Sequence, residues 1–236
     1  MKYILSVYLW IILFIYSLFF LVFAIVVSYV FPSTTYTPWL QKLLRFMFTL
    51  MFIKVEVEGA ENITPNKTYL YMANHVSLFD VPLIGGFIPG CVRGVEADRQ
   101  HAWPIYGWAM RRMGNIPIDR KNIFSSLGSI GKTAGVLKEG KSMIILPEGH
   151  RTMDGELRQF KGFPFLLAQK VEVEILPIGL SGLYTLKNKN SWLITPNKIK
   201  IKFGKPISLE TIKSLSTKEL RDITREKIKN LIDYSI

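Results

Sequence analysis

Cysteine is almost absent. Cys91 stands alone among 236 residues, which excludes an intramolecular disulfide framework and a thiolate zinc cluster and suits a reducing compartment. Histidine is nearly as scarce: His75, His101 and His150 are the three present. A base working near neutral pH, most often a histidine, has few candidates here. No Gly-x-Ser-x-Gly turn occurs, so the serine elbow of a thioesterase or lipase is missing. From Tyr3 to Gln41 there is no Asp, Glu, Lys or Arg, and from Tyr3 to Phe31 no Gly or Pro. Charged residues are 20% of the chain against 49% hydrophobic, with mean hydropathy +0.22. That balance excludes a disordered chain, and the length fits one domain with an appendage.

What is present divides unevenly. The formal net charge is +12. Every base but Lys2 follows residue 41, so the body is drawn to polyanions, nucleic acid and anionic membrane alike. The N-terminus favours the membrane. Tyr3 to Phe31, as a helix, would be roughly 44 Å long, more than the ~30 Å hydrocarbon core. It is too long for a signal-peptide apolar region. Pro32 and Pro38, separated by Ser and Thr, are expected to break it. Trp39 to Ile53 then reads as an amphipathic helix too short to span, with Lys42 and Arg45 toward lipid headgroups. The bases flanking the C-terminal side favour a cytoplasmic body; a re-entrant first helix would also put both ends there. The expected division is residues 1–53 as removable membrane-anchoring helices and 54–236 as the domain.

The body alternates strand and helix patterns. Strands are expected at 53–58, 68–73, 91–95, 116–118, 142–146, 174–180 and 199–203, and helices at 78–88, 103–113, 123–138, 163–170 and 217–234. This predicts an α/β fold, a mixed β-sheet flanked by helices, with an N-terminal membrane-embedded helix pair.

Chemistry concentrates in three segments. In Asn74-His75-Val76-Ser77-Leu78-Phe79-Asp80, a continuous helix would place His75 and Asp80 about 140° apart. If His75 ends a strand and Ser77 caps the next helix, the chain turns and the carboxylate can reach the imidazole. Asp80 would then orient one ring nitrogen and leave the other as base. A loop histidine beside a capping acid has the same spacing. Ile116-Pro117-Ile118-Asp119-Arg120 and Leu146-Pro147-Glu148-Gly149-His150-Arg151 each end a strand near an arginine, whose fork suits phosphate. Phe160-Lys161-Gly162 follows. Taken singly, each is a basic loop. His101 reads as a surface residue.

Together and in this order, from about Gly59 to Pro206, these blocks resemble the glycerolipid acyltransferase superfamily, the 1-acylglycerol-3-phosphate acyltransferases in particular. Leu176-Pro177-Ile178 is similar to that family's fourth block, and the two N-terminal helices to its anchor. The resemblance implies that His75 takes the proton from a lysophosphatidate hydroxyl while Asp80 orients it. The hydroxyl oxygen then attacks the thioester of acyl-CoA or acyl-carrier protein, without an acyl-enzyme. It implies an acceptor phosphate region of Glu148, Gly149, Arg151, Arg120 and Lys161, to which Asn74, Ser77, His150 and Arg99 could contribute. It implies phosphatidate as product, a bilayer with anionic lipids as partner, no nucleic acid, no metal and no cofactor beyond the acyl donor. Three departures stand out. His150 replaces a usual Thr; Ala97-Asp98-Arg99-Gln100 replaces a Lys-rich segment, so that Arg99 or Arg93 would have to substitute; and the Lys161 block is one residue short. The competing readings are an acyltransferase for another lyso-lipid or glycerol 3-phosphate, and a non-catalytic, basic, membrane-anchored lipid-binding protein.

Overall fold

A computed structural model describes residues 1–119 and 123–236, with the side chains of 123–130 outside the description. Arg120, an expected phosphate ligand, therefore lies outside the described residues.

Helix α1 is Lys2–Val30, an apolar run that stops where Phe31 turns extended before Pro32, as a residue preceding proline tends to do. Helix α2 is Ser33–Leu50, longer than expected, with Pro38 inside it. The proline break is confined to Pro32, which sits extended at the N-cap. Pro38 falls in the second turn, where it forfeits one hydrogen bond without ending the helix. The body runs β1 (Val55–Glu58), β2 (Tyr69–Ala73), α3 (Asp80–Phe87), β3 (Arg93–Ala97), α4 (Asp98–His101), α5 (Pro104–Arg112), β4 (Ile116–Ile118) and α6 (Ile123–Lys138). It continues β5 (Met143–Ile145), α7 (Phe163–Val171), β6 (Glu174–Ser181), α8 (Leu183–Leu186), β7 (Ile199–Phe203), α9 (Leu209–Ser214) and α10 (Thr217–Lys229).

The seven strands form one sheet in the order β1-β7-β6-β2-β5-β3-β4. Strands β2 to β6 are mutually parallel, β7 runs antiparallel to β6, and β1 parallel to β7. The sheet is thus mixed, as expected. Every residue of β2 is buried, the mark of a parallel strand covered on both faces. Its alternate residues serve two different layers. Leu70 and Met72 join Phe165, Ile175, Leu220 and Ile228, under α7 and α10. Tyr69, Tyr71 and Ala73 join Leu9 of α1, Phe48 of α2 and Leu83 of α3. Next to the edge strand β1, β7 alternates Ile199, Ile201 and Phe203 inward with Lys200 and Lys202, which pair with Glu58 on β1.

The N-terminal helices are therefore a structural layer of the domain. Near one end of α1, Trp10 Nε1 donates to the Trp192 carbonyl at 2.7 Å and the Ser6 hydroxyl accepts from Ile194 N–H at 3.1 Å. Near the other, Arg112 on α5 donates to the Ser28 carbonyl at 2.6 Å and lies 4.0 Å from the Tyr29 ring centroid. Arg45, expected to face headgroups, donates to the Gly86 carbonyl at 2.6 Å and pins α2 to α3. The outer side of α1 leaves Ile11, Phe14, Ile15, Phe19, Val22 and Val26 exposed, and α1 is the one described helix long and apolar enough to cross a membrane.

Candidate active site

Strand β2 ends at Ala73, and Asn74 extends its pairing with β6 by side chain: Nδ2 donates to the Leu180 carbonyl at 2.9 Å and Oδ1 accepts from Leu180 N–H at 2.8 Å. Asn74, counted from the sequence among residues that could help the acceptor site, is thus occupied in holding His75 at the carboxyl edge of the sheet. That edge, where parallel strands end, is the usual ligand crevice of an α/β fold.

His75 is gripped on both main-chain groups by the loop that carries the Glu148–Arg151 block. Its N–H donates to Glu148 Oε1 at 2.6 Å, and its carbonyl accepts from Thr152 N–H at 2.9 Å. The ring meets Asp80, with Nδ1 2.6 Å from Oδ2. Asp80 is 0% exposed and also accepts from Val76 N–H at 2.8 Å and Ser77 N–H at 3.0 Å. The carboxylate folds back over the loop that precedes it, accepting from amides three and four residues earlier, and α3 begins at Asp80 itself. Ser77 is consequently not the N-cap expected from the sequence: Phe79 occupies that position without a side-chain cap. The Ser77 hydroxyl donates to the Lys187 carbonyl at 2.6 Å. The imidazole is 14% exposed, and Nε2 makes no hydrogen bond among the described residues.

Glu148 is buried, and its second oxygen accepts from Arg158 N–H at 3.0 Å. Both oxygens thus hold main chain and shape the loop that carries the expected acceptor residues. Burial pushes its carboxyl above the usual range, against the pull of those two amides. Gly149 takes φ +75°, a left-handed value glycine adopts freely, and the Lys161 stem packs across it. Lys161 is exposed and its N–H donates to the Pro147 carbonyl at 2.8 Å. His150 is exposed beside it. Arg151 is half-buried, and its guanidinium has no hydrogen-bond or ion-pair partner among the described residues.

Arg99 leaves the same sheet edge on α4, exposed. Arg93 does not reach it: it starts β3, at the opposite edge, with its guanidinium against Gly114. Cys91 precedes β3 at that far edge as well. His101 is buried, contrary to expectation. It is 6% exposed, with Nε2 4.0 Å from Glu96 Oε2, because α5 closes over α4 so tightly that a Cβ on Gly107 would meet the His101 carbonyl. Among the described residues no three His, Cys, Asp or Glu side chains converge as a metal site would need.

One residue of this neighbourhood had no signal in the sequence. Lys187, 6% exposed, ends α8 beside Ser77, with Nζ donating to the Asn188 carbonyl at 2.7 Å and lying 5.9 Å from the Trp10 ring centroid. In the sequence it is one lysine of Lys187-Asn188-Lys189-Asn190, a stretch that reads as a solvated loop.

Residues 54–181 match a family model described as Acyltransferase. The chain is 30% identical over 66% of its length to the 1-acyl-sn-glycerol-3-phosphate acyltransferase LPAT1, chloroplastic, of Arabidopsis thaliana, covering 44% of that protein. It is 30% identical over 64% of its length to the lyso-ornithine lipid O-acyltransferase of Pseudomonas aeruginosa, covering 57% of it. The chain thus spans about half the length of these curated relatives. The crystal structure of the 1-acyl-sn-glycerophosphate (LPA) acyltransferase PlsC from Thermotoga maritima superposes with a TM-score of 0.83 at 28% identity, over 97% of this chain and 93% of that one.

Proposed function

The chain belongs to the Acyltransferase family, and from that premise we propose that it moves an acyl group from a thioester donor, acyl-CoA or acyl-carrier protein, to the sn-2 hydroxyl of lysophosphatidate, giving phosphatidate. The observation that carries this reading is the 2.6 Å contact of His75 Nδ1 with a fully buried Asp80, with Nε2 left without a partner among the described residues.

His75 Nε2 takes the acceptor's hydroxyl proton as its oxygen attacks the thioester carbonyl. Asp80 accepts from Nδ1–H, fixes the tautomer and stabilises the imidazolium. Collapse of the tetrahedral intermediate expels the thiolate, which takes the proton back from Nε2, leaving one ester and one thiol. Side-chain nucleophiles near the base are committed elsewhere. Ser77 is 0% exposed and gives its proton to the Lys187 carbonyl, and the Thr152 hydroxyl donates to Asp154 at 2.7 Å. Direct transfer fits this arrangement better than an acyl-enzyme. Arg151, whose guanidinium has no hydrogen-bond or ion-pair partner among the described residues, supplies a fork for the acceptor's phosphate.

The body would meet its substrate at a membrane surface. Ser6 and Ser28, near the two ends of α1, both touch the body, and the 22 helical steps from one to the other span about 33 Å. A helix bound to one body at both ends lies along a leaflet rather than through the bilayer. Its row of exposed apolar side chains is larger than a soluble surface usually carries. We place the body on the cytoplasmic side, where acyl thioesters are made.

The test is an acyl-transfer assay with the purified full-length protein in mixed micelles. Thiol release should require lysophosphatidate and match phosphatidate one for one. His75→Ala should lower the rate roughly 10²–10⁴-fold. Thiol release without acceptor, or a variant within threefold of wild type, would refute the base assignment. Lyso-ornithine lipid and lysophosphatidylcholine as alternative acceptors decide the headgroup.

A further inference from the structure

Strand β2, which delivers His75, lies between β5 and β6 in the sheet. Past the end of β5 comes Arg151, and past the end of β6 comes Lys187. Each is tied to the turn that carries the base. Thr152, next to Arg151, donates to the His75 carbonyl, and the Lys187 carbonyl receives the Ser77 hydroxyl at 2.6 Å. Two cationic residues therefore follow the strands on either side of β2, close enough that Arg151 acts electrostatically on the Lys187 amine. Neither has a carboxylate partner among the described residues. For Lys187 this is costly, because a buried ammonium is ordinarily paired. Its one hydrogen bond to a neighbouring carbonyl and the nearby indole of Trp10 supply no charge. Burial and the repulsion of Arg151 both push its amine below the usual lysine range, the condition an arriving anion would relieve. Trp10 also belongs to an apolar patch on one face of α1 with Val7, Ile11, Phe14 and Ile15. Lys187 thus sits where an apolar surface meets the polar site, as the head of an amphiphile would require.

Resting on the lyso-lipid reading above, we propose that Lys187 and Arg151 together hold the anionic headgroup of the acceptor, and that Lys187 sets the preference for a phosphate monoester over a zwitterionic headgroup. An ammonium is a point charge that suits a compact dianion, whereas the guanidinium fork fixes its orientation.

The experiment compares wild type with Lys187→Met, which keeps an unbranched apolar stem beside Trp10, and with Lys187→Gln as a second neutral variant. Calorimetric binding of short-chain lysophosphatidate and lysophosphatidylcholine to the full-length protein is measured beside KM and kcat. Loss of a charge-assisted contact should weaken lysophosphatidate binding and raise its KM about tenfold or more. Lysophosphatidylcholine binding, kcat and the KM of the acyl donor should stay within threefold. Inorganic phosphate as competitor separates the two sources of the group: competition lost in the variants means the site takes phosphate by itself, and no competition by phosphate in wild type means it is held only as part of the lipid. Equal weakening of both lyso-lipids, no weakening, or an effect confined to the donor would each overturn the assignment. A protein that binds lysophosphatidate through Lys187 yet never esterifies it would refute the reaction and leave this assignment standing.

Discussion

Replacing Asp80 by Asn separates two roles that a carboxylate beside a histidine can play. The substitution keeps volume and removes charge, and its effect depends on which way the amide settles. Oδ2 carries most of the contacts, at 2.6 Å from His75 Nδ1, 2.8 Å from Val76 N and 3.1 Å from Ser77 N. Oδ1 has Ser77 N alone, at 3.0 Å. The amide oxygen should therefore take the Oδ2 position. The NH₂ then meets the single Ser77 N–H, a donor against a donor, at a cost of about 1–3 kcal/mol. In this orientation Nδ1–H still finds an acceptor, so the tautomer survives. What is lost is the negative charge that holds the imidazolium. Charge-assisted hydrogen bonds are about twice as strong as neutral ones, a difference of about 1–1.5 kcal/mol, or roughly 5–13-fold in rate. A flipped amide would instead donate to Nδ1, lock the ring in the wrong tautomer and cost about 10⁴-fold. Steady-state transfer rates, with unfolding monitored on the same samples, distinguish these outcomes. A loss near 10⁴-fold in a folded protein would refute the orientation argued here. A loss under threefold would remove Asp80's charge from the mechanism.

Glu148→Gln should cost transfer about tenfold or more, since one amide oxygen cannot serve both the His75 and Arg158 N–H groups. Its stability effect should depend on pH with a defined sign. Burial holds the folded carboxyl above its unfolded value of 4.5, so the folded protein binds the extra proton first and wild type loses stability as pH rises through the interval above 4.5. Urea unfolding should then find the variant relatively more stable at neutral pH than near pH 5; a wild-type advantage that grows with pH would contradict the burial argument. Deleting residues 1–53 should abolish the folded state. It strips Leu9, Leu13, Met47, Phe48, Met51 and Ile53 from the layer over the sheet. At ~1.5–3 kcal/mol each this comes to about 9–18 kcal/mol, against a typical total of 5–15. Cooperative unfolding of a soluble 54–236 fragment would refute that accounting.

This last prediction reverses the division expected from composition, and the reversal shows what kinds of information a sequence holds locally. Strand β7 and helix α6 match their expected limits because alternation before Gly204 and a long 3.6-residue period are properties of a single segment. The single-turn helices α4 and α8 have four residues each, too few for any period to register. The His75–Asp80 contact was legible for the same reason as β7, since the two residues are five apart and their meeting needs one local turn. What was not legible is what makes that turn a site. The Glu148 and Thr152 grip on His75 crosses more than seventy positions, and the Asn74 bridge to Leu180 crosses 106. The same limit applies to the N-terminal run. Its lack of charge looks like a detachable anchor, because hydropathy cannot tell a side chain that faces lipid from one that faces a sheet. Leu9 and Ile11 are two residues apart on α1 and equally apolar, yet Leu9 is 0% exposed and Ile11 54%. A helix that is apolar all round can seal the domain with one face and enter the leaflet with the other. On the reading proposed above, His75 would then stand at a fixed height relative to the lipid hydroxyl, because the layer that fills the core would also be the layer that seats the protein in the membrane.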